Sequence, residues 1–135
     1  MNSNIPEDLD WVSARGNCHL PDVFKELEHG VRGDIEAVQE FLTNSETKFS
    51  VVKAVNYRFS VNRVDDPITS FARSVDFALS KGRITVYDEK DAEMFTATLT
   101  LSNEGKCRLL VNGEQLTQWQ FRRMALEKLF FGPHD

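Results

Sequence analysis

The sequence predicts an α+β fold: an N-terminal helix, a five-stranded antiparallel meander sheet, and a C-terminal helix packed on one sheet face. Three observations carry this expectation. Apolar residues recur every three or four positions over residues 21–43. Between Phe49 and Val111 the period changes to two. After Thr117 and Gln120, spaced as a capping box, the helical pattern returns. An antiparallel sheet with one apolar face needs a cover, and two helices supply it.

The first helix places Phe24, Leu27, Val31, Ile35, Val38 and Leu42 along one face, with Pro21 and Asp22 suited to its first turn. Gly30 and Gly33 each cost about 1 kcal/mol against alanine and mark a place where this helix could kink. Residues 1–19 are polar and aperiodic. They are expected to form a flexible arm, pinned by Trp11, ahead of a single domain over 20–135. One domain is what 135 residues support.

Val55, Tyr57, Phe59 and Val61 alternate with polar residues as one half-buried strand. Residues 68–80 fit two patterns. A helix could start at Asp66-Pro67, but a strand over 71–80 sets Leu79 opposite Ile84 and Phe77 opposite Val86 across a Lys81-Gly82 turn, and is preferred. In the next hairpin, pairing Leu101 with Cys107, Leu99 with Leu109 and Ala97 with Val111 keeps the apolar side chains together. Asn112-Gly113 ends that strand, and Gly132-Pro133 stops the last helix near residue 131. The expected core face includes Tyr57, Phe59, Phe77, Ile84, Leu99 and Leu109.

Net charge is −5, distributed unevenly: −7 over residues 1–46, +4 over 47–87, −4 over 88–104 and +2 over 105–135. The simplest meaning is an acidic helix beside basic strands. Arg58, Arg73 and Arg83 are then the candidate patch for an anion or nucleic acid. Sheet platforms for single-stranded nucleic acid stack bases on aromatic rings, and Tyr87 is the only aromatic on the predicted outward face. Nucleic-acid binding through strands 47–87 is therefore expected to be weak.

Chemical signatures are scarce. Cys18 and Cys107 are read as reduced thiols, with a bridge between them as the less favoured alternative. Cys18-His19 lacks any visible feature that would activate a thiol. His19, His29 and His134 do not form zinc spacings, and the acidic loop Asp88, Glu89, Asp91, Glu93 lacks the glycine of a calcium loop. The sequence contains no GxGxxG, GxxxxGK[ST] or GxSxG. No catalytic, cofactor-binding or metal-ligating residue is assigned, and no cofactor is expected. The N-terminus is acidic and lacks an apolar run, unlike a secretory signal, and no stretch is long enough to span a bilayer. A cytoplasmic location without membrane contact is the expectation.

The last helix is the anomaly. Apolar residues surround nearly its whole circumference, and a helix apolar all round is buried on more than one side. Trp119, Leu126 and Phe130 are read as the stripe on the sheet. Phe121, Met124 and Phe131 lie away from it and are the candidate protein interface, with a homodimer as the favoured form. The leading functional reading is a small non-catalytic protein-binding or regulatory module of the adaptor, chaperone-like or immunity type. The first alternative is a small-molecule-binding or enzymatic domain with a pocket between sheet and helices. The second is nucleic-acid binding.

Overall fold

A computed structural model describes residues 5–43, 45–65 and 73–132 of the chain. The elements are α1 (Trp11–Gly16), α2 (Leu20–Phe41), β1 (Lys48–Val55), β2 (Arg58–Val64), β3 (Arg73–Ser80), β4 (Arg83–Tyr87), β5 (Glu93–Leu101), β6 (Cys107–Val111), β7 (Glu114–Leu116) and α3 (Gln118–Phe131). The fold is α+β, with an N-terminal helix, an antiparallel sheet and a C-terminal helix. Its sheet has seven strands rather than the expected five, and they neighbour one another in sequence order.

Both additional strands come from turns. The run read as one strand through Val55 and Tyr57 reverses there, with Tyr57 at φ 65° and Val55 paired with Arg58. Apolar and polar residues keep alternating in the sequence through the reversal, which conceals it, although Val55 emerges on the outward face with Arg58. Tyr57 is consequently 54% exposed, not in the core. Asn112-Gly113 does end β6, but both residues have positive φ, as a two-residue hairpin turn requires, and the chain returns as β7.

The other registers follow the pattern. Leu79 faces Ile84 and Phe77 faces Val86 across Lys81-Gly82, and Leu101 faces Cys107 and Leu99 faces Leu109 in the next hairpin. Residues 73–80 are strand; the remainder of the strand-or-helix question, over 66–72, lies outside the described residues.

The core lies between the sheet and the two long helices. Phe24 of α2, Phe59 of β2, Phe77 of β3, Phe121 of α3 and Phe95 of β5 form a continuous series of ring contacts, with centroids 4.8 to 6.4 Å apart. α2 buries Val23, Phe24, Leu27, Val31 and Val38 and runs through Gly30 and Gly33 as one helix. Gly30 is where α3 comes close. A Cβ there would lie 2.5 Å from Arg122 Nη1, whereas nothing approaches Gly33 within 4 Å. Arg122 Nε donates to Asp34 of α2 at 2.7 Å, and Gln118 Nε2 donates to the Val23 carbonyl, so two polar contacts fix α3 on α2.

α3 starts where the capping signal placed it: Gln120 Oε1 accepts from the Thr117 N–H at 2.9 Å. Its C-terminus is held by Arg63, a buried residue of β2. The Arg63 guanidinium donates to the carbonyls of Leu129 and Gly132 at 2.7 and 3.1 Å and to Asp65 at 2.7 Å. The Thr47 hydroxyl donates to the same Asp65 carboxylate.

The N-terminal residues depart from expectation in two ways. Cys18 and Cys107 form a disulfide, with Cα atoms 5.3 Å apart. The reading of reduced thiols is thus corrected: the segment before α2 passes beside β6, a proximity that a sequence separation of 89 conceals. Trp11 does not pin the N-terminal segment, being 63% exposed. The disulfide and Leu9, whose side chain sits over Gly105, make the attachment.

Candidate functional site

The face of α3 turned from the sheet borders a groove shared with α2. The groove has a volume of about 350 Å³. Val38, Leu126 and Phe130 form its buried floor. Its rim is aromatic and wet: Phe41 at the end of α2 is 83% exposed, Trp119 55% and Phe131 68%. Four charged residues of balanced sign, Asp34, Glu127, Arg122 and Arg123, also border it. Two of them pair across the groove as Arg122–Asp34, and two pair along α3, where Arg123 Nε donates to Glu127 at 3.2 Å.

The geometry of α3 explains this exposure. Phe121, Ala125 and Leu129 recur every four residues toward the sheet, Leu126 lines the groove with α2, and Phe130 lines it while packing edge-on against Phe49 of β1 at 4.9 Å. Trp119, Arg123, Glu127 and Phe131 recur at the same spacing and form a continuous row on the opposite side. Met124 stands beside that row and is 43% exposed. Two expected positions are therefore exchanged. Phe121 is fully buried against Phe77 and Phe95 and leaves the interface set, while Trp119 leaves the core stripe and joins the rim. Met124 and Phe131 remain on the surface. Phe41 was missed because it sits at a helix end, where periodicity gives no phase beyond the last turn.

The three arginines of the candidate anion patch are not brought together. Arg58 and Arg83 belong to the outward parity of β2 and β4. Arg73 pairs with the inward Arg63 and lies near Gly132, at the far end of β3 from the Arg58–Ala78 pair. Arg58 is also neutralised locally. It contacts Asp76 at 2.9 Å and Asp91 at 3.1 Å, and lies 5.1 Å from the centre of the Tyr87 ring. The Asp76 hydrogen bond leads in raising the Arg58 pKa, outweighing the opposing effect of burial.

Several of the remaining sequence candidates have structural partners. Cys18 is consumed in the disulfide, and His19 Nδ1 lies 3.3 Å from Asp22. His29 is exposed, and His134 lies outside the described residues. In the acidic loop, Asp88 Oδ1 accepts the N–H groups of Lys90 and Ala92, closing the turn, while Asp91 reaches Arg58. Among the described residues, no three or more His, Cys, Asp and Glu side chains gather as a metal site would need. No helix among them is long and apolar enough to cross a membrane. No protein-family model, curated protein or solved structure matches the chain.

Proposed function

We propose that the protein is a small non-catalytic protein-binding module, of an adaptor or regulatory kind, whose binding surface is the groove between α2 and α3. One observation carries this reading. Three large aromatic side chains, Phe41, Trp119 and Phe131, stand more than half exposed around one apolar groove. Exposed aromatics clustered on a buried apolar floor are characteristic of interface centres.

The two other readings have weaker supports. The Phe24, Phe59, Phe77 and Phe121 rings fill the centre between sheet and helices, and the pockets left at its margins, about 240 Å³ beside Glu28 and Lys53 and about 120 Å³ beside Glu26 and Arg108, are smaller than the α2–α3 groove. A nucleic-acid surface on the strands would need Arg58 to act with its two carboxylate partners removed. The cytoplasmic expectation meets an opposing argument in the Cys18–Cys107 bridge, because disulfides persist mainly in oxidising compartments.

The test is photo-crosslinking of the full chain in the cells that make it, with the reactive side chain at position 41 or, as a control, at Thr98 on the outward sheet face. A discrete protein adduct from position 41 and not from 98 is expected. Equal labelling from both positions, or no protein adduct from 41, overturns the reading.

A further inference from the structure

We propose that the occupant of the groove is a second copy of this chain, docked by a twofold axis that crosses α3 at the level of residue 125. This rests on the groove being a protein-binding surface, and it names the partner. The order of side chains along the exposed row of α3 points to this partner. Reading from the N-terminus, the row is aromatic, cation, anion, aromatic: Trp119, Arg123, Glu127, Phe131.

A twofold contact is isologous, so each residue meets its counterpart on a chain running the other way. Antiparallel alignment about position 125 sets Arg123 against the second copy's Glu127 and Glu127 against its Arg123. The same operation sets Trp119 against the second copy's Phe131 at both ends. The row thus matches itself in charge and in size. A contact with an unrelated protein requires no such symmetry.

The shape agrees. Twelve residues of helix place Trp119 and Phe131 about 18 Å apart along the axis. A row with four-residue spacing is a ridge of the kind that packs into the groove of a like helix at a crossing angle of about −50°. On both sides this ridge is bordered by a depression: the α2–α3 groove on one, and on the other a shallower one lined by Leu116, Gln120 and Met124. Each ridge can therefore seat in a depression of the other copy, with Phe41 forming the outer wall. The groove charges balance, two acidic and two basic, which suits a copy bearing the same set better than a strongly acidic or basic partner.

In the contact, the internal Arg123–Glu127 pairs of the two copies come together as a four-charge cluster. That gives a test independent of fold stability, since both side chains are more than half exposed in the single chain. Light scattering and sedimentation of the full chain should give twice 15.4 kDa at about 100 µM. Arg123→Glu and Glu127→Arg, each alone, place like charges opposite one another. Each should raise the dissociation constant at least tenfold, or about 1.4 kcal/mol, with unchanged circular dichroism. Mixing the two single variants should regenerate a dimer containing one of each, because both cross-contacts then become attractive.

A wild-type chain that stays monomeric across the range overturns self-association. So does a mixture of the two variants that forms no mixed dimer. If the chain is monomeric but crosslinking from position 41 captures a different protein, self-association falls and the groove reading stands. If neither adduct appears, both fall.

Discussion

Arg63 joins three elements, holding the end of α3 and lying 6.0 Å from the centre of the Phe49 ring of β1. It comes from β2, is nearly fully buried, and has two α3 carbonyls and Asp65 as partners. Arg63→Met would fill similar space but leave the Asp65 carboxylate and the helix end short of a donor. Breaking a buried pair in this way costs about 3–5 kcal/mol, and urea denaturation should show a loss of that size. Arg63→Lys should recover only part, because an ammonium cannot match the planar fork.

The glycines of α2 offer an opposite pair of outcomes. Gly33→Ala meets nothing within 4 Å and should stabilise the chain by about 0.5–1 kcal/mol through helix propensity. Gly30→Ala should lose that gain, since its methyl displaces Arg122 from Asp34. At Glu28, burial pushes the carboxyl pKa up, but hydrogen bonds and charge from Arg32 and Lys53 outweigh it and hold the value below the usual range. A carboxylate with a depressed folded pKa contributes stability above its unfolded pKa, and that contribution is lost as pH falls through the folded pKa. Glu28→Gln should therefore lower stability at neutral and alkaline pH and flatten the acid part of a stability-versus-pH curve, the two curves converging once Glu28 is protonated.

At the scale of elements, the disulfide is the strongest single constraint on the N-terminal segment. It closes a loop spanning 89 residues of sequence separation, and chain-entropy reasoning assigns such a crosslink about 4–5 kcal/mol. Thermal unfolding with and without reductant should show a drop of about 2–5 kcal/mol, and Cys18→Ala/Cys107→Ala should reproduce the reduced state. The edge strand β1 has a different guard. Gln39 of α2 donates to the Thr47 carbonyl and accepts the Phe49 N–H, occupying groups that an added strand would use.

What the sequence revealed depended on whether a local rule governed the element. α2 and α3 were legible because apolar spacing and a capping box act within a few residues. The β3–β4 and β5–β6 registers were legible because each turn left only one alignment that keeps apolar residues together. The β1–β2 reversal was not, since positive φ falls on Tyr57, a residue type that gives no turn signal. The groove was half legible. Periodicity shows that α3 is apolar all round, but it does not show which side meets the sheet. Phe121 and Trp119 were exchanged for that reason. The Cys18–Cys107 pairing is a property of the completed fold, with no local trace.

For the molecule as a whole, strand order has a consequence in time. Chains emerge from synthesis N-terminus first, and here each strand after β1 finds its neighbour as soon as it appears. Closure comes late. Cys18 waits for Cys107, which follows five strands, and Phe121, the ring that bridges Phe77 to Phe95, arrives later still. A nascent chain stopped just short of α3 would carry a paired sheet covered on one side only by α2, its inner aromatic face open to water and to other nascent chains. The last fourteen-residue helix is thus the lid on the assembly line as well as the proposed docking surface. Truncation before Gln118 should yield aggregates rather than a smaller folded protein, as measured by the soluble fraction on expression.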